Sequence, residues 1–189
     1  MLLRINPQER KQQNLTAIYE ALLHLMSHKP LSMISITELC AHAHLSRSYF
    51  YRNFTSFDQI ILTYQEQAIL TYFRRLPRQS KITLPVLMTQ YFTFMQQMAT
   101  TNQLLIDNGK AQIIVQTFEA AYTLLIRHDR IITVTDSTIH HQPYYIAFFS
   151  GAVVNILIHW QQAGMVEPPS YLAQQIVRFT ASHTGNGLK

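Results

Sequence analysis

One seven-residue run holds most of the chain's capacity for chemistry. Ser46-Arg47-Ser48-Tyr49-Phe50-Tyr51-Arg52 spaces two guanidinium groups among hydroxyls and tyrosines. Arg47 suits bidentate contact with guanine O6 and N7. Ser48 and Tyr49 can meet base edges or thymine methyls, while Tyr51 and Arg52 suit phosphate oxygens. Ser46 is a residue type that caps helices, so the positions just after it are the ones that enter a major groove. Ser35 and Thr37 open a preceding helix, where free N–H groups attract anions. For Tyr49 and Tyr51 there is also a plainer reading, packing on Phe50 and Phe54. Arg4, Arg10 and Lys11 read as a flexible basic arm able to reach backbone or minor groove.

Other chemistries find little footing. The five glycines, at 109, 151, 164, 185 and 187, assemble neither GxGxxG nor GxxxxGK[ST], which excludes dinucleotide and P-loop enzymes. Cys40 is the only cysteine, so there is no intrachain disulfide, and a reducing cytoplasmic setting is expected. Nine histidines include His24 and His28 four apart and His42 and His44 two apart. No cysteine or carboxylate joins either pair at ligand spacing, so they read as solvated or groove-facing side chains and no metal is expected. His140 and His141 read as an exposed loop pair. GxSxG and HExxH are absent and the ten carboxylates are scattered singly, so no catalytic residues and no cofactor are expected.

Charge is sparse and lopsided. Charged residues make up 13% of the chain, against about 25% in ordinary domains. Residues 1–80 hold nine Lys/Arg against five Asp/Glu, and the remainder six against five. A basic N-terminal part on a near-neutral remainder points to nucleic acid there. The stretches 82–106 and 137–166 carry no charge. The apolar heart of the second, Tyr144–Ile158, is shorter than the ~20 residues a bilayer requires. The N-terminus lacks the apolar segment of a signal peptide, so no membrane partner is expected.

Helices must position these groups. Leu15, Ile18, Tyr19, Leu22, Leu25 and Met26 lie on one helical face, ending near His28–Pro30. Ser35-Ile36-Thr37-Glu38 and Ser56-Phe57-Asp58-Gln59 read as capping boxes. With Ser46, which follows a two-residue break at His44-Leu45, they predict helices Ser35–Ala43 and Ser46–Asn53, joined by a tight turn, and a longer one from Ser56 to about Leu76. Leu39, Ala43, Leu45, Phe50 and Phe54 supply the small core of this helix-turn-helix. Pro77–Ser80 reads as a hinge. Further helices are expected at 84–100, 111–128, 142–163 and 170–182, with a short one at 102–107. Asp107-Asn108-Gly109 signals a turn, Asp136–Pro143 a loop, Gly164–Pro169 a stop, and the tail from His183 frays. The fold class is all-α, with an N-terminal helix-turn-helix domain over 1–56 and a helical regulatory domain over 57–189, connected by helix 56–76.

The run ISITELCAHAHLSRSYFYRNFTSFDQII, residues 34–61, resembles the DNA-binding signature of the TetR family of bacterial transcriptional regulators. The matching features are the Ile-Ser-Ile entry, Leu45-Ser46 before the recognition helix, the Phe50-Tyr51-x-x-Phe54 cluster and Ser56. Ala17-Ile18 and Ala21-Leu22 upstream also fit, and the likeness covers about residues 12–65. Three departures matter. His44 stands at a turn position usually held by glycine, where a left-handed backbone carries strain. Ser48 and Tyr49 make the recognition helix bulkier than is common. Phe57 replaces a usual lysine, removing one phosphate contact. Tyr144–Gln175, with Gly151, Trp160 and Gly164-Met165, is similar to the C-terminal helix pair of one TetR subgroup.

The resemblance implies a homodimer on a palindromic double-stranded DNA operator, usually a repressor released by a small-molecule effector. Met88, Tyr91, Phe92, Met95, Phe118, Tyr122 and Phe148 are the expected pocket lining, although such side chains at helical spacing are usually plain core. The lack of charge around them favours an uncharged or lipophilic effector. Tyr145, Phe149, Ala152, Ile156 and Trp160 are expected to face the subunit's own core. Ala147, Gly151, Val154 and Ile158 are expected to face a partner. The alternatives are a regulator answering to a protein partner, and a helical ligand-binding or interaction module that does not bind DNA.

Overall fold

The computed structural model describes residues 6–74, 81–132 and 144–181. The helices are α1 (Pro7–Met26), α2 (Ile36–His42), α3 (Arg47–Asn53), α4 (Phe57–Arg74), α5 (Leu84–Gln97), α6 (Ala99–Asp107), α7 (Ala111–Arg127), α8 (Tyr145–Gln162) and α9 (Pro169–Ala181). A 3₁₀ turn, Leu31–Met33, separates α1 from α2. The expected hinge at Pro77–Ser80, the loop at Asp136–Pro143 with His140 and His141, Arg4 and the tail from His183 lie outside the described residues.

α1 begins well before its apolar stripe. Asn6 accepts from the Gln8 N–H at 3.1 Å and its own N–H donates to Glu9 at 3.4 Å, a capping box with Pro7 at the first helical position. Arg10 and Lys11 therefore sit on a helix, which corrects the expectation that they belong to a flexible arm. The stripe itself behaves as predicted: Leu15, Ile18, Tyr19, Leu22, Leu25 and Met26 are buried against α2 and α4. Tyr19 stacks on Tyr64 with ring centroids 3.8 Å apart. Burial pushes its phenol up to about 12, opposed by a hydrogen bond from Gln65.

Helices α1 to α3 are called the head and α5 to α9 the body, which is a layered helical packing. α5 lies along α9, and α7 packs against both α4 and α8. One face of α7 (Ile113, Ile114, Thr117, Phe118, Ala121, Tyr122, Leu125) is buried in that position. The chain breaks at Met98, so the predicted helix to residue 100 ends earlier and α6 is a full element. A parallel two-residue ladder pairs Ile82 with Ile131 and Thr83 with Ile132. Two residues are too few to leave an alternation in the sequence.

α8 corrects the expected facing. It buries Phe149, Ser150, Val153, Val154, Leu157 and Trp160, whereas Ala152 is exposed and Tyr145 and Ile156 are half-buried. Val154 thus belongs to its own subunit's core. A helix apolar nearly all round carries no phase in its sequence, so only its neighbours decide which stripe turns inward. Among the described residues no helix is long and apolar enough to cross a membrane.

Candidate nucleic-acid interface

Three serines set the frame of the head. Ser35 accepts from the Glu38 N–H and Ser46 from the Tyr49 N–H, each at 3.1 Å, fixing the starts of α2 and α3. Ser56 accepts from Gln59 at 3.2 Å. Neither predicted capping box closes in its expected form. The Glu38 carboxylate is taken by Lys29 at 2.6–2.7 Å, whose hydrogen bond holds it below the usual carboxylate range. Gln59 reaches back one residue further than its cap, accepting from Thr55 N–H and Oγ1 at 2.7 and 2.9 Å.

The turn between α2 and α3 closes around His44 at φ 53°, in the left-handed region. Leu45 N–H donates to Cys40 O at 2.9 Å and His44 N–H to Ala41 O at 3.2 Å, the pattern of a Schellman stop. The turn keeps its left-handed geometry although histidine has a Cβ, at a cost of about 1–2 kcal/mol relative to glycine. Cys40 lies buried beneath it, and burial pushes its thiol up.

Helix α3 presents two faces. Phe50 is its buried anchor, ringed by Tyr51, Phe57 and Phe54 at 5.5, 6.0 and 6.1 Å. Phe57, where a lysine was expected by resemblance, therefore serves the head's core. Arg47, Ser48, Tyr51 and Arg52 are exposed on the other side, Tyr51 to 59%. Arg52 Nε donates to Ser48 O at 3.2 Å, which lays the guanidinium along the helix. Ser35, Thr37 and Ser46 are exposed at the adjoining helix starts. Tyr49 is different. It is half-buried, packs edge-on to Phe54 at 6.3 Å, and is hydrogen-bonded to Asn14 of α1. Burial raises its phenol above the ordinary tyrosine range. The structure thus turns Tyr49 back toward α1, behind the exposed row.

Behind that row lies an open cleft of about 850 Å³, lined by α1, α3, α4 and the end of α5. Sequence reasoning missed it, because its walls come from four helices and share no local spacing. The structure also brings His42 of α2 beside His24 of α1, at 5.8 Å between ring centroids, and leaves His44 apart in the turn. Among the described residues no three His, Cys, Asp or Glu side chains are arranged to hold a metal ion.

In the body, six of the seven expected pocket residues converge. Met88, Tyr91, Phe92, Met95, Phe118 and Tyr122 are all buried, with Tyr91 to Phe118 at 4.7 Å and Tyr122 to Phe149 at 4.7 Å. Phe148 does not join them and is 67% exposed. It lies near Tyr144, 87% exposed, and the exposed Ala147 and Ala152 on the outer side of α8; Tyr171 and Phe179 are exposed on α9. Gly151 and Ile158 are partly exposed on α8. Lys110, just before α7, binds Asp58 in the first turn of α4 at 2.7–2.8 Å, tying the body to the helix that leaves the head.

A family profile described as a transcriptional regulator C-terminal region matches residues 84–182. Among curated proteins, none matches in sequence. The chain is similar in structure to Lin0861 from Listeria innocua, with a TM-score of 0.72 at 18% identity over 95% of this chain and 96% of that one. It is similar to the dihydroxyacetone kinase operon activator DhaS, with a TM-score of 0.57 at 14% identity over 90% and 95% of the two chains. A TetR-family transcriptional regulator from Streptomyces coelicolor gives 0.53 at 20% identity over 90% and 80%. At these identities the likeness is one of fold.

Proposed function

The chain belongs to the TetR family of transcriptional regulators, and from that premise we propose that it is a homodimeric repressor whose operator binding is released by a small, largely apolar effector. The observation that carries the DNA half is the two-faced α3, with Phe50 anchored inside and Arg47, Ser48, Tyr51 and Arg52 in an exposed row after the Ser46 cap. Arg47 and Ser48 are its base readers, and Tyr51, Arg52, Ser35 and Thr37 its phosphate contacts. Tyr49 buttresses the row from behind. We place the head at 1–56 and the body at 57–189.

Dimerisation is assigned to the outer faces of α8 and α9. Tyr144 and Phe148 are exposed at the start of α8, and Tyr171 and Phe179 are exposed on α9, which supports this because exposed apolar surface marks interfaces. Ala147, Gly151 and Ile158 on α8 are assigned to the same contact, and Val154 takes no part. Outside its own helix, a Cβ added at Gly151 meets no atom of the described residues within 4 Å, which leaves room on this face for a partner helix. In a dimer the two recognition helices would sit about 34–36 Å apart, in successive major grooves. An effector wedged among the core aromatics would shift α7, and the Lys110–Asp58 pair would pass that shift to α4 and the head.

The tight packing of that core favours a second reading, in which a protein partner replaces the effector. DhaS, a fold neighbour, is named an operon activator, so transcription from the bound promoter must be measured in both directions. The test is footprinting on the promoter beside the chain's own gene. Two protected half-sites one helical turn apart, lost in a Gly151→Leu protein that sediments as a monomer, support the reading. No protection, or a fully dimeric Gly151→Leu protein, contradicts the DNA or the dimer half respectively.

A further inference from the structure

Tyr49 stands on a boundary of α3. At about 100° of rotation per residue, it falls around the helix between the exposed Arg52 and the buried Phe50. A side chain at that position can turn outward to a base or inward to α1, and its rotamer decides which. The structure turns it inward. Its ring meets Phe54 edge-on at 6.3 Å, and its phenol is hydrogen-bonded to Asn14 of α1, itself half-buried. Tyr51, two residues on, is by contrast 59% exposed.

Little else holds the side chain there. Tyr49 lines the open cleft of about 850 Å³ behind α3, together with Gln12 and Leu15 of α1 and Gln67 of α4. It therefore borders open space on that flank, where close packing would have fixed it sterically. Asn53 Nδ2 donates to Tyr49 O at 2.7 Å, but that bond fixes backbone and leaves the direction of the phenol alone. What opposes rotation toward solvent is the edge of Phe54 and the bond to Asn14. Of these two, only the bond ties the recognition helix to α1.

We propose that Asn14 is a positioning residue for DNA specificity. By holding the Tyr49 phenol on α1, it withholds from the major groove a side chain that the first turn of α3 would otherwise offer. Reading in that turn is left to Arg47 and Ser48. Once released, the phenol can donate or accept a hydrogen bond at a base edge, and its ring can meet a thymine methyl. One amide on a different helix thereby sets how many base pairs α3 distinguishes. This rests on the DNA reading above and adds to it a determinant outside the recognition helix.

The test uses the full chain, as parent, Asn14→Ala, Tyr49→Ala and the double variant, on duplexes in which each base pair of a half-site is replaced in turn. Tyr49→Ala alone should keep the parent's base preferences, because the phenol is withheld from DNA. Asn14→Ala should gain a preference of about fivefold, the worth of one hydrogen bond, at a base pair to which the parent is indifferent. The double variant should lose that gain. Without DNA, the nuclear Overhauser contact between the Tyr49 and Phe54 rings should be present in the parent and weaker in Asn14→Ala. Unchanged base preference in a folded Asn14→Ala protein overturns the proposal, and so does a gain that persists in the double variant. Preference flattened at any base pair by Tyr49→Ala also overturns it, even where Asn14→Ala fails to fold, since Tyr49 then already reads DNA. A parent with no base preference at all sinks the DNA reading itself. A parent with preferences that ignore Asn14 sinks only this proposal.

Discussion

The head and the body of this molecule are specified by different kinds of contact. In the head, α1, α2 and α3 each start at a residue whose side chain accepts a backbone N–H: Asn6, Ser35 and Ser46. In the body, α5, α6, α7 and α8 start at Thr83, Met98, Lys110 and Tyr144, and none of these supplies a side-chain cap. Short helices such as α2 and α3, seven residues each, have too few internal bonds to stand without caps. Longer body helices are held by buried faces, so their ends need less local definition. The head is therefore a rigid reader set by local chemistry. The body's arrangement is a matter of packing, which a ligand or partner can alter.

The largest expected effect attacks the packing of the head rather than its caps. Phe50→Ala removes the ring on which Tyr51, Phe54 and Phe57 converge. It should cost about 3–5 kcal/mol, read by urea denaturation, with loss of DNA binding. A cost under about 1 kcal/mol would mean that the caps alone hold the head together. A sharper test sets the two regions side by side. Ser46→Ala should destabilise by about 1 kcal/mol through its lost cap, whereas Thr83→Ala, at an uncapped start, should stay within about 0.5 kcal/mol. Equal costs would mean that head and body helices depend on their caps alike. The smallest effect runs the other way. His44→Gly relieves a left-handed backbone at an exposed turn, and should stabilise by about 0.5–1 kcal/mol. Thermal unfolding that shows a loss would place a specific contact on the His44 ring.

This division also explains what the sequence could reveal. Ser35, Ser46, Ser56 and the Phe50–Phe54 pair announce the head because caps and turns are encoded within a few residues. The His44 turn was readable for the same reason, and its positive φ is present. The facing of α8 was not, since Ala152 and Val154 exchange roles only when α7 is in place. The start of α1 was missed because Asn6-Pro7-Gln8-Glu9 precedes the apolar stripe by two turns. The sequence leaves Tyr49 two options, base contact or packing, and what turns it back toward α1 is Asn14, thirty-five positions away.

We propose that α3 reads duplex DNA with Arg47 and holds it with Arg52. Fluorescence anisotropy on the footprinted operator, with each base pair of a half-site replaced in turn and salt varied, tests it most directly. Arg47→Ala should cost about 1–3 kcal/mol and flatten preference at one base pair per half-site, whereas Arg52→Ala should weaken every sequence alike and lower the salt slope by about 1. Uniform weakening by both variants, or a parent protein indifferent to base replacement, would contradict it.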